Sequence, residues 1–429
     1  MSTRKRYSVL LLQFLFGILL LNGASAATDG YAAERQRFLE ARKALQQNQL
    51  TRYQPLAERL RDYPLYPYLR YDELRARFSR ATDADIRKFL DAFGDTPLAG
   101  RLRHSWLNHL ARQHQWQRFL AFYPGNSDSA ELQCFYLRAT RTEPADAAWL
   151  DAAAGLWRVG KSQPDACDPV FKVLASSPRM THELVWERIR LAMDDNALSL
   201  ASYLSRLLPA DERKWVDLWR QVHHRPSEAR GHAALAADSA PAREILAHAV
   251  VRLARGDAQE AYDWWTVLAE RYRFDDKTRA DVSRRVALAA AYQRLPQAHV
   301  WLAQVPDSAR DRALREWQAR SALLQREWSA LLAAIDAMPP EEQAESEWRY
   351  WRGRAQAQLG ERAAAELAFQ PLAGERSYHG FLAADFLDRP YSLGHAPIPV
   401  DDADLERLQR QQPAFVRARE LRGAALIHD

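Results

Sequence analysis

The sequence predicts an all-α protein built as a solenoid of helical hairpins. Three observations support this fold class. Alanine, leucine, arginine, glutamine and glutamate dominate, whereas only 16 of the 429 residues are glycine, a composition typical of helices. No sustained alternation of β-branched residues indicates a strand, and the nearest candidate, His395 to Val400, is interrupted by two prolines. Apolar residues instead recur with the helical period of 3.6, in pairs of short segments joined by turns.

The N-terminus predicts an export signal, residues 1–26. Arg4, Lys5 and Arg6 precede an apolar run from Val9 to Leu21, and the small residues 24–26 form a cleavage site. The run is shorter than the ~20 apolar residues of a comfortable membrane span. We expect cleavage after residue 26 and a mature chain that is not attached to a membrane; an uncleaved anchor helix is the alternative.

The charge pattern argues against a nucleic-acid partner. Loss of the leader would lower the formal net charge from +5 to +2. Arginines and acids alternate along most segments, as in residues 34–37 and 211–214. Such mixed charge is typical of solvated helix faces, whereas nucleic-acid binding needs clustered cations.

The hairpins are clearest in the second half of the chain. An apolar helix over 247–254 is expected to end at Gly256 in the left-handed conformation, with Asp257 as the cap of the next helix. That helix places four apolar residues on one face: Ala261, Trp264, Trp265 and Leu268. The same pattern of two apolar helices joined by a turn predicts four further helix pairs: 98–110 with 116–120, 287–292 with 299–305, 319–324 with 328–335, and 351–359 with 364–368.

The turns between these pairs recur at repeat-like intervals. Gly256, Pro296, Arg326 and Gly360 are separated by 30 to 40 residues. This spacing is typical of tetratricopeptide-like α-solenoids, in which each hairpin buries its apolar face against its neighbours. We therefore predict one helical-repeat domain over residues 27–390.

The composition changes towards the C-terminus, where proline and glycine become frequent. We expect a short helix over 378–386, an irregular linker over 389–401, and two helices over 403–411 and 413–427. The apolar stripe of the last helix is expected to face a partner, either the array or the rest of its own domain: Phe415, Ala418, Leu421 and Ala425. Residues 391–429 are accordingly assigned to a separate, incomplete domain.

Two cysteines remain in the exported part, Cys134 and Cys167. An oxidising compartment favours a disulfide between them. A pair of free buried thiols is the alternative, because sequence alone does not bring the two Cα atoms within bonding range.

No catalytic residue, cofactor site or metal site is predicted. His182 and Glu183 lack the second histidine of a zinc helix, and His223 and His224 are interpreted as a solvated pair. Glu345 begins a Glu-Ser pair within an acidic cluster, which is better explained as the favourable first turn of a helix.

Aromatic clusters could stack on sugar rings or pack between hairpins. The residues are Tyr63, Tyr66, Tyr68 and Tyr71 in the N-terminal region, and Trp348, Tyr350 and Trp351 later. We favour packing, because the tryptophans lie on the apolar stripes.

Four segments resemble the soluble lytic murein transglycosylases. They are YPLYPYL (63–69, followed by Tyr71), GKSQPDACD (160–168), WRYWR (348–352, continuing to Gly360) and YHGFLAA (378–384). The resemblance covers almost the whole mature chain. It implies a superhelix of ring or U shape, a linker domain that closes it, a paired Cys134 and Cys167, a periplasmic location and a lysozyme-like catalytic domain. In that family a single glutamate cleaves the bond between N-acetylmuramic acid and N-acetylglucosamine, giving a 1,6-anhydro product.

This sequence departs from the family at its C-terminal end. Residues 403–429 match only the opening of the linker domain, and the catalytic Glu-Ser motif with its glycine-rich continuation is not found. We therefore expect a scaffold that contacts peptidoglycan and has no lytic activity alone. A periplasmic adaptor that binds a protein partner is the alternative.

Overall fold

The computed structural model describes residues 30–426, with the side chains of 409 and 410 excepted. The predicted leader and its cleavage site lie outside these residues. Within them the chain forms 24 α-helices, four short 3₁₀ segments and no β-strand, so the all-α prediction is confirmed. None of these helices is long and apolar enough to cross a membrane.

The helices follow one another with short connections. The first twelve are α1 (Ala32–Gln46), α2 (Leu50–Glu58), α3 (Tyr66–Ala76), α4 (Asp83–Ala92), α5 (Pro97–Arg112), α6 (Trp116–Phe122), α7 (Ala130–Thr140), α8 (Ala147–Trp157), α9 (Asp168–Ala175), α10 (His182–Asp194), α11 (Leu198–Ser205) and α12 (Ala210–His224). The others are α13 (Ala240–Ala254), α14 (Ala258–Arg271), α15 (Asp276–Tyr292), α16 (Ala298–Ala303), α17 (Arg312–Gln325), α18 (Trp328–Asp336), α19 (Pro340–Gln343), α20 (Ser346–Gln358), α21 (Arg362–Leu372), α22 (Tyr378–Phe386), α23 (Asp402–Gln411) and α24 (Pro413–Gly423).

The described chain divides into two compact units. The first unit contains residues 30–149, 164–170 and 398–426, so it unites the N-terminal helices with α23 and α24. The second unit contains residues 150–163 and 171–397.

The second unit is a succession of packed hairpins. Helix α13 packs on α14, α15 on α16, α17 on α18 and α20 on α21, and α15 also packs on both α13 and α17. Buried clusters follow one another along the array, centred in turn on Trp301, on Trp348 and on Phe369. Each hairpin therefore buries its apolar face against its neighbours, and the predicted hairpin solenoid is confirmed.

The hairpin turns use non-glycine residues as well as glycine in the left-handed backbone conformation, so few glycines are needed. Arg326 and Gly360 both adopt left-handed backbone, with φ of 59° and 86°. The next amide donates to the carbonyl five residues back, as from Glu327 to Ala322 at 2.9 Å, a motif that closes helix C-termini. The prediction for Gly256 is wrong, because its φ is not positive. Non-glycine residues take the left-handed position in four other hairpins: Asn48, His114, Asn196 and Arg294.

Helix starts follow the predicted capping chemistry. The Asp257 carboxylate accepts a hydrogen bond from the Glu260 amide at 2.8 Å, as expected. Asp275 and Asp311 cap α15 and α17 in the same way, at 2.7 Å and 2.9 Å. These caps satisfy amides at the first turn that have no partner within the helix.

The C-terminal elements are close to those expected. Helix α22 spans Tyr378–Phe386 and residues 389–401 contain neither helix nor strand. Helix α24 ends at Gly423, however, earlier than the predicted residue 427, and Ala425 has a positive φ of 57°. This left-handed residue stops the helix; Ile427 lies outside the described residues.

Candidate functional site

His182 and Glu183 of the first histidine motif contact different charged side chains. His182 Nδ1 lies 3.0 Å from the Glu212 carboxylate, while Glu183 pairs with Arg190 at 2.6 Å. Among residues 30–426, no group of three histidine, cysteine or acidic side chains is arranged to hold a metal ion.

The interpretation of His223 as a solvated residue is wrong. Its side chain is buried, with a relative exposure of 2%. His223 Nε2 lies 2.6 Å from Asn196 Oδ1 and its Nδ1 lies 3.0 Å from His248 Nε2. Burial lowers the pKa of His223 to about 4 and that of His248 to about 3. Both imidazoles are therefore neutral at pH 7, and they form a fixed hydrogen-bonded pair.

The acids around Glu345 are held by arginines. Glu345 pairs with Arg312 at 2.8 Å, and the buried Glu342 pairs with Arg315 at 2.5 Å. The hydrogen bonds from Arg315 lower the pKa of Glu342. A general acid for glycoside cleavage needs a raised pKa, so the shift of Glu342 is in the opposite direction.

Most of the singled-out aromatics pack between helices. Trp348, Tyr350, Tyr63 and Tyr68 are buried, and the Tyr350 ring contacts Phe369 with centroids 5.5 Å apart. These rings present little surface on which a sugar could stack, as the packing interpretation requires.

The two cysteines form the disulfide that the sequence favours. Cys134 in α7 and Cys167 form a disulfide with a Cα–Cα distance of 4.9 Å. Both sulfur-bearing residues are fully buried. The disulfide connects α7 with the segment 164–170 inside the first unit.

The candidate functional site is the junction between α24 and the N-terminal helices, here called the C-terminal junction. Glu420 of α24 is fully buried. Arg35 of α1 donates from Nε and Nη2 to both carboxylate oxygens at 3.0 to 3.1 Å. The Tyr63 hydroxyl donates to the same carboxylate at 2.9 Å, and burial together with this bond raises the pKa of Tyr63.

A second ion pair and a cavity complete the junction. Arg417 of α24 donates to Asp95 at 2.9 Å. A cavity of about 490 Å³ lies beside these contacts, lined by Tyr31, Asp62 and Pro64 on one side and by Val416 and Arg417 on the other. The arrangement fixes the position of α24 through charge and hydrogen bonding, which are directional contacts.

The predicted apolar stripe of α24 is not the face that docks. Phe415 is 54% exposed and Ala418 is exposed, whereas Glu420 and Ala424 are buried. The preceding helix α23 contacts α24, and its Leu405 and Leu408 are also exposed, at 46% and 44%. We call these three residues the apolar C-terminal face. Sequence reasoning missed the true docking face because a lone glutamate in a surface-like helix gives no local signal of burial.

Together these features define an all-α helical-repeat protein with one disulfide. Its last described helix, α24, is held against the N-terminal helices by ion pairs and a hydrogen bond. Sequence comparison finds similar proteins that share one name. The chain is 28% identical over 410 residues to the soluble lytic murein transglycosylase of Escherichia coli K12, covering 94% of this chain and 63% of the relative. The Salmonella typhimurium protein of the same name is 27% identical over 398 residues, covering 92% of this chain and 61% of the relative.

Solved structures agree with the sequence comparison. An inactive mutant of the lytic transglycosylase Slt from Pseudomonas aeruginosa superposes with a TM-score of 0.81 at 31% identity, covering 90% of this chain and 63% of that one. The 70 kDa soluble lytic transglycosylase of E. coli gives 0.73 at 27% identity, covering 92% and 63%. No protein-family profile matches the chain. This chain is homologous to soluble lytic murein transglycosylases over almost its whole length, and it spans about 63% of the length of the first relatives it matches.

Proposed function

We propose that this chain is the scaffold region of a periplasmic lytic murein transglycosylase, which contacts peptidoglycan and does not cleave it by itself. The observation that carries the proposal is the match over 94% of this chain but 63% of the E. coli relative. Residues 1–26 are proposed as the export signal, 27–390 as the helical-repeat domain and 391–429 as the start of the linker domain. The lysozyme-like catalytic domain is then assigned to the unmatched third of the relatives.

The electrostatics around the Glu-Ser pair at 345–346 support a non-catalytic role for this pair. Glu345 forms an ion pair with Arg312, and Glu342 beside it has a lowered pKa. The disulfide between Cys134 and Cys167 supports an oxidising compartment such as the periplasm.

The test uses isolated murein sacculi and the mature chain. We expect the protein to sediment with sacculi while no soluble 1,6-anhydromuropeptides appear by chromatography. Release of such products would contradict the non-catalytic role. Failure to sediment, at a salt concentration at which the E. coli enzyme does sediment, would contradict the scaffold proposal.

A second candidate function is that of an adaptor for a protein partner. It is favoured by the apolar C-terminal face of Leu405, Leu408 and Phe415, because exposed apolar clusters commonly mark interaction surfaces. An L408E variant should abolish capture of a purified partner while sedimentation with sacculi is unchanged. A partner that binds wild type and L408E equally would contradict a role for this face.

A further inference from the structure

One arginine of the second unit is buried without a counter-ion. Arg188 of α10 is 3% exposed, and burial lowers its pKa to about 10. No carboxylate among residues 30–426 forms an ion pair with it. The two buried glutamates of these residues, Glu342 and Glu420, both have arginine partners. A buried charge without a partner is strongly destabilising, so the chain keeps Arg188 at a cost.

Two aromatic rings and one carbonyl contact the Arg188 guanidinium. Its Cζ lies 4.3 Å from the centroid of the Trp157 ring and 5.2 Å from that of the Phe171 ring. Nη2 donates to the Lys161 carbonyl at 3.3 Å. The cation–π contacts offset part of the cost of burial. A guanidinium has five N–H donors, however, and the carbonyl uses one of them.

A glycine brings the Lys161 carbonyl to this position. A Cβ on Gly160 would lie 2.4 Å from the Leu191 carbonyl oxygen of α10. Gly160 therefore lets the chain before Lys161 approach α10 more closely than any other residue would. The surroundings of Arg188 thus depend on close packing that only glycine allows.

The Nη1 group of Arg188 reaches solvent. Nε of the same side chain has neither a hydrogen-bond partner nor contact with solvent. Nη1 also has no partner among the described residues, but it is not shut off from solvent as Nε is. Within these residues, Tyr203 of α11 is the one other titratable group whose charge acts on the pKa of Arg188, and it is 61% exposed. Arg188 is thus a buried cation that still offers N–H donors at the surface.

The charge that this site lacks is a single negative one. No second cation of the described residues acts on the pKa of Arg188, so a monoanion would balance its charge. A carboxylate is a monoanion whose two oxygens match the planar edge of a guanidinium and form charge-assisted hydrogen bonds with it. We propose that Arg188 is a binding site for the carboxylate group of a ligand, which accepts hydrogen bonds from Nη1.

Two sources could supply the carboxylate. One is the peptide chains of peptidoglycan, and this assignment rests on the proposed function. The other is a small free carboxylate, which is independent of it. Both present the same group to Arg188, so the experiments first test the site and then separate the sources.

Sodium acetate, compared with sodium chloride at equal concentration, is the probe for the site. A ligand that binds only the folded protein raises its melting temperature. We expect the mature chain to melt at a higher temperature in acetate than in chloride, and R188M to lose most of this shift. R158M is the matched control and should keep the shift, because Arg158 already pairs with the Glu187 carboxylate at 2.9 Å. Equal shifts in wild type and R188M, or no shift in either, would overturn the proposal.

Stability without ligand separates binding from a purely structural role. Replacing buried charge with apolar side chains of similar size is often neutral or stabilising. In chloride, R188M should therefore melt at the same temperature as wild type or above it. A clear fall in melting temperature would show that the contacts with Trp157 and Lys161 account for Arg188, and the proposal would be wrong.

Sacculi whose carboxylates have been converted to neutral amides distinguish the two sources. If peptidoglycan supplies the carboxylate, wild type should sediment less with amidated than with native sacculi, and R188M should lose this difference. Equal sedimentation of wild type with both preparations, together with an acetate shift that depends on Arg188, would assign the site to a small free carboxylate. If wild type sediments but no acetate shift depends on Arg188, this proposal is wrong and the proposed function stands. Failure to sediment would contradict the proposed function alone.

Discussion

Replacing Arg35 with methionine tests whether the buried Glu420 pair holds α24 in place. The change removes the guanidinium that donates to both carboxylate oxygens at 3.0 to 3.1 Å. It leaves Glu420 with the Tyr63 hydroxyl at 2.9 Å and with the more distant Arg419, whose Nε lies 3.8 Å from the carboxylate. Leaving a buried charge without its partner costs about 3 to 5 kcal/mol. Because α24 is close to the end of the described chain, local undocking is the cheaper response, and the rest of the first unit should stay folded.

The magnitude can be read from amide hydrogen exchange. A loss of about 3 kcal/mol corresponds to opening of α24 more often by about 100-fold, so exchange over 413–423 should accelerate by that factor or reach its unprotected limit. R362M is the control, because Arg362 and Glu366 form an ion pair that is largely exposed and worth at most about 0.5 kcal/mol. If R35M changes exchange in α24 by less than about threefold, Glu420 does not hold the helix and this reasoning is refuted.

Three further predictions concern stability. Replacing both disulfide cysteines with alanine opens a loop of 33 residues and should lower the free energy of unfolding by about 4 kcal/mol relative to the oxidised wild type. Urea titration measures this loss, and the reduced wild type should be destabilised to a similar extent. The pKa values of His223 and His248 are lowered to about 4 and about 3, so below pH 6.5 the unfolded chain binds more protons than the folded chain. We expect the contribution of this pair to the free energy of unfolding to be fully present above pH 6.5 and to fall as the pH drops towards 4. A variant with glutamine at both positions should flatten this part of the melting-temperature profile. G423A should destabilise the C-terminal junction, because a Cβ at this position would lie 2.8 Å from the Arg35 guanidinium. G100A is the control: its Cβ would meet no atom within 4 Å, so this change should be neutral or stabilising. Equal melting temperatures of the two variants would argue against close packing at Gly423.

The hairpin array could be predicted because its signals are local. A helix needs only its own apolar spacing and caps, so Asp257 could be assigned as a cap from the sequence alone. The failure at Gly256 has a physical reason: the amides of Gly256 and Asp257 both donate to the Leu253 carbonyl at 2.9 Å, which closes this turn without a left-handed residue. Arg294 and Arg326 do adopt left-handed backbone, and their side-chain identity does not predict it.

The junction and the histidine pair could not be predicted because their partners are distant in sequence. Glu420 meets Arg35 across 385 residues, and His223 meets His248 across 25. A pattern that describes one helix at a time carries no information about which polar residue a neighbouring helix supplies. His223 consequently looked like half of a solvated His-His pair, although its helix buries that side.

Helix α24 uses different faces for docking on the N-terminal helices and for possible contact with a partner, whereas a helix that docked through its apolar stripe would use one face for both. If Phe415 faced the N-terminal helices, docking would use the same surface that a partner could use. Instead the helix is held by Glu420 on a face whose contacts are directional, and Phe415 stays 54% exposed. A buried ion pair contributes little net stability relative to apolar packing, but it tolerates only one register. Phe415 is therefore exposed on a helix whose orientation Glu420 fixes, so a loss of binding in L408E without loss of α24 protection would locate the interaction on the apolar C-terminal face.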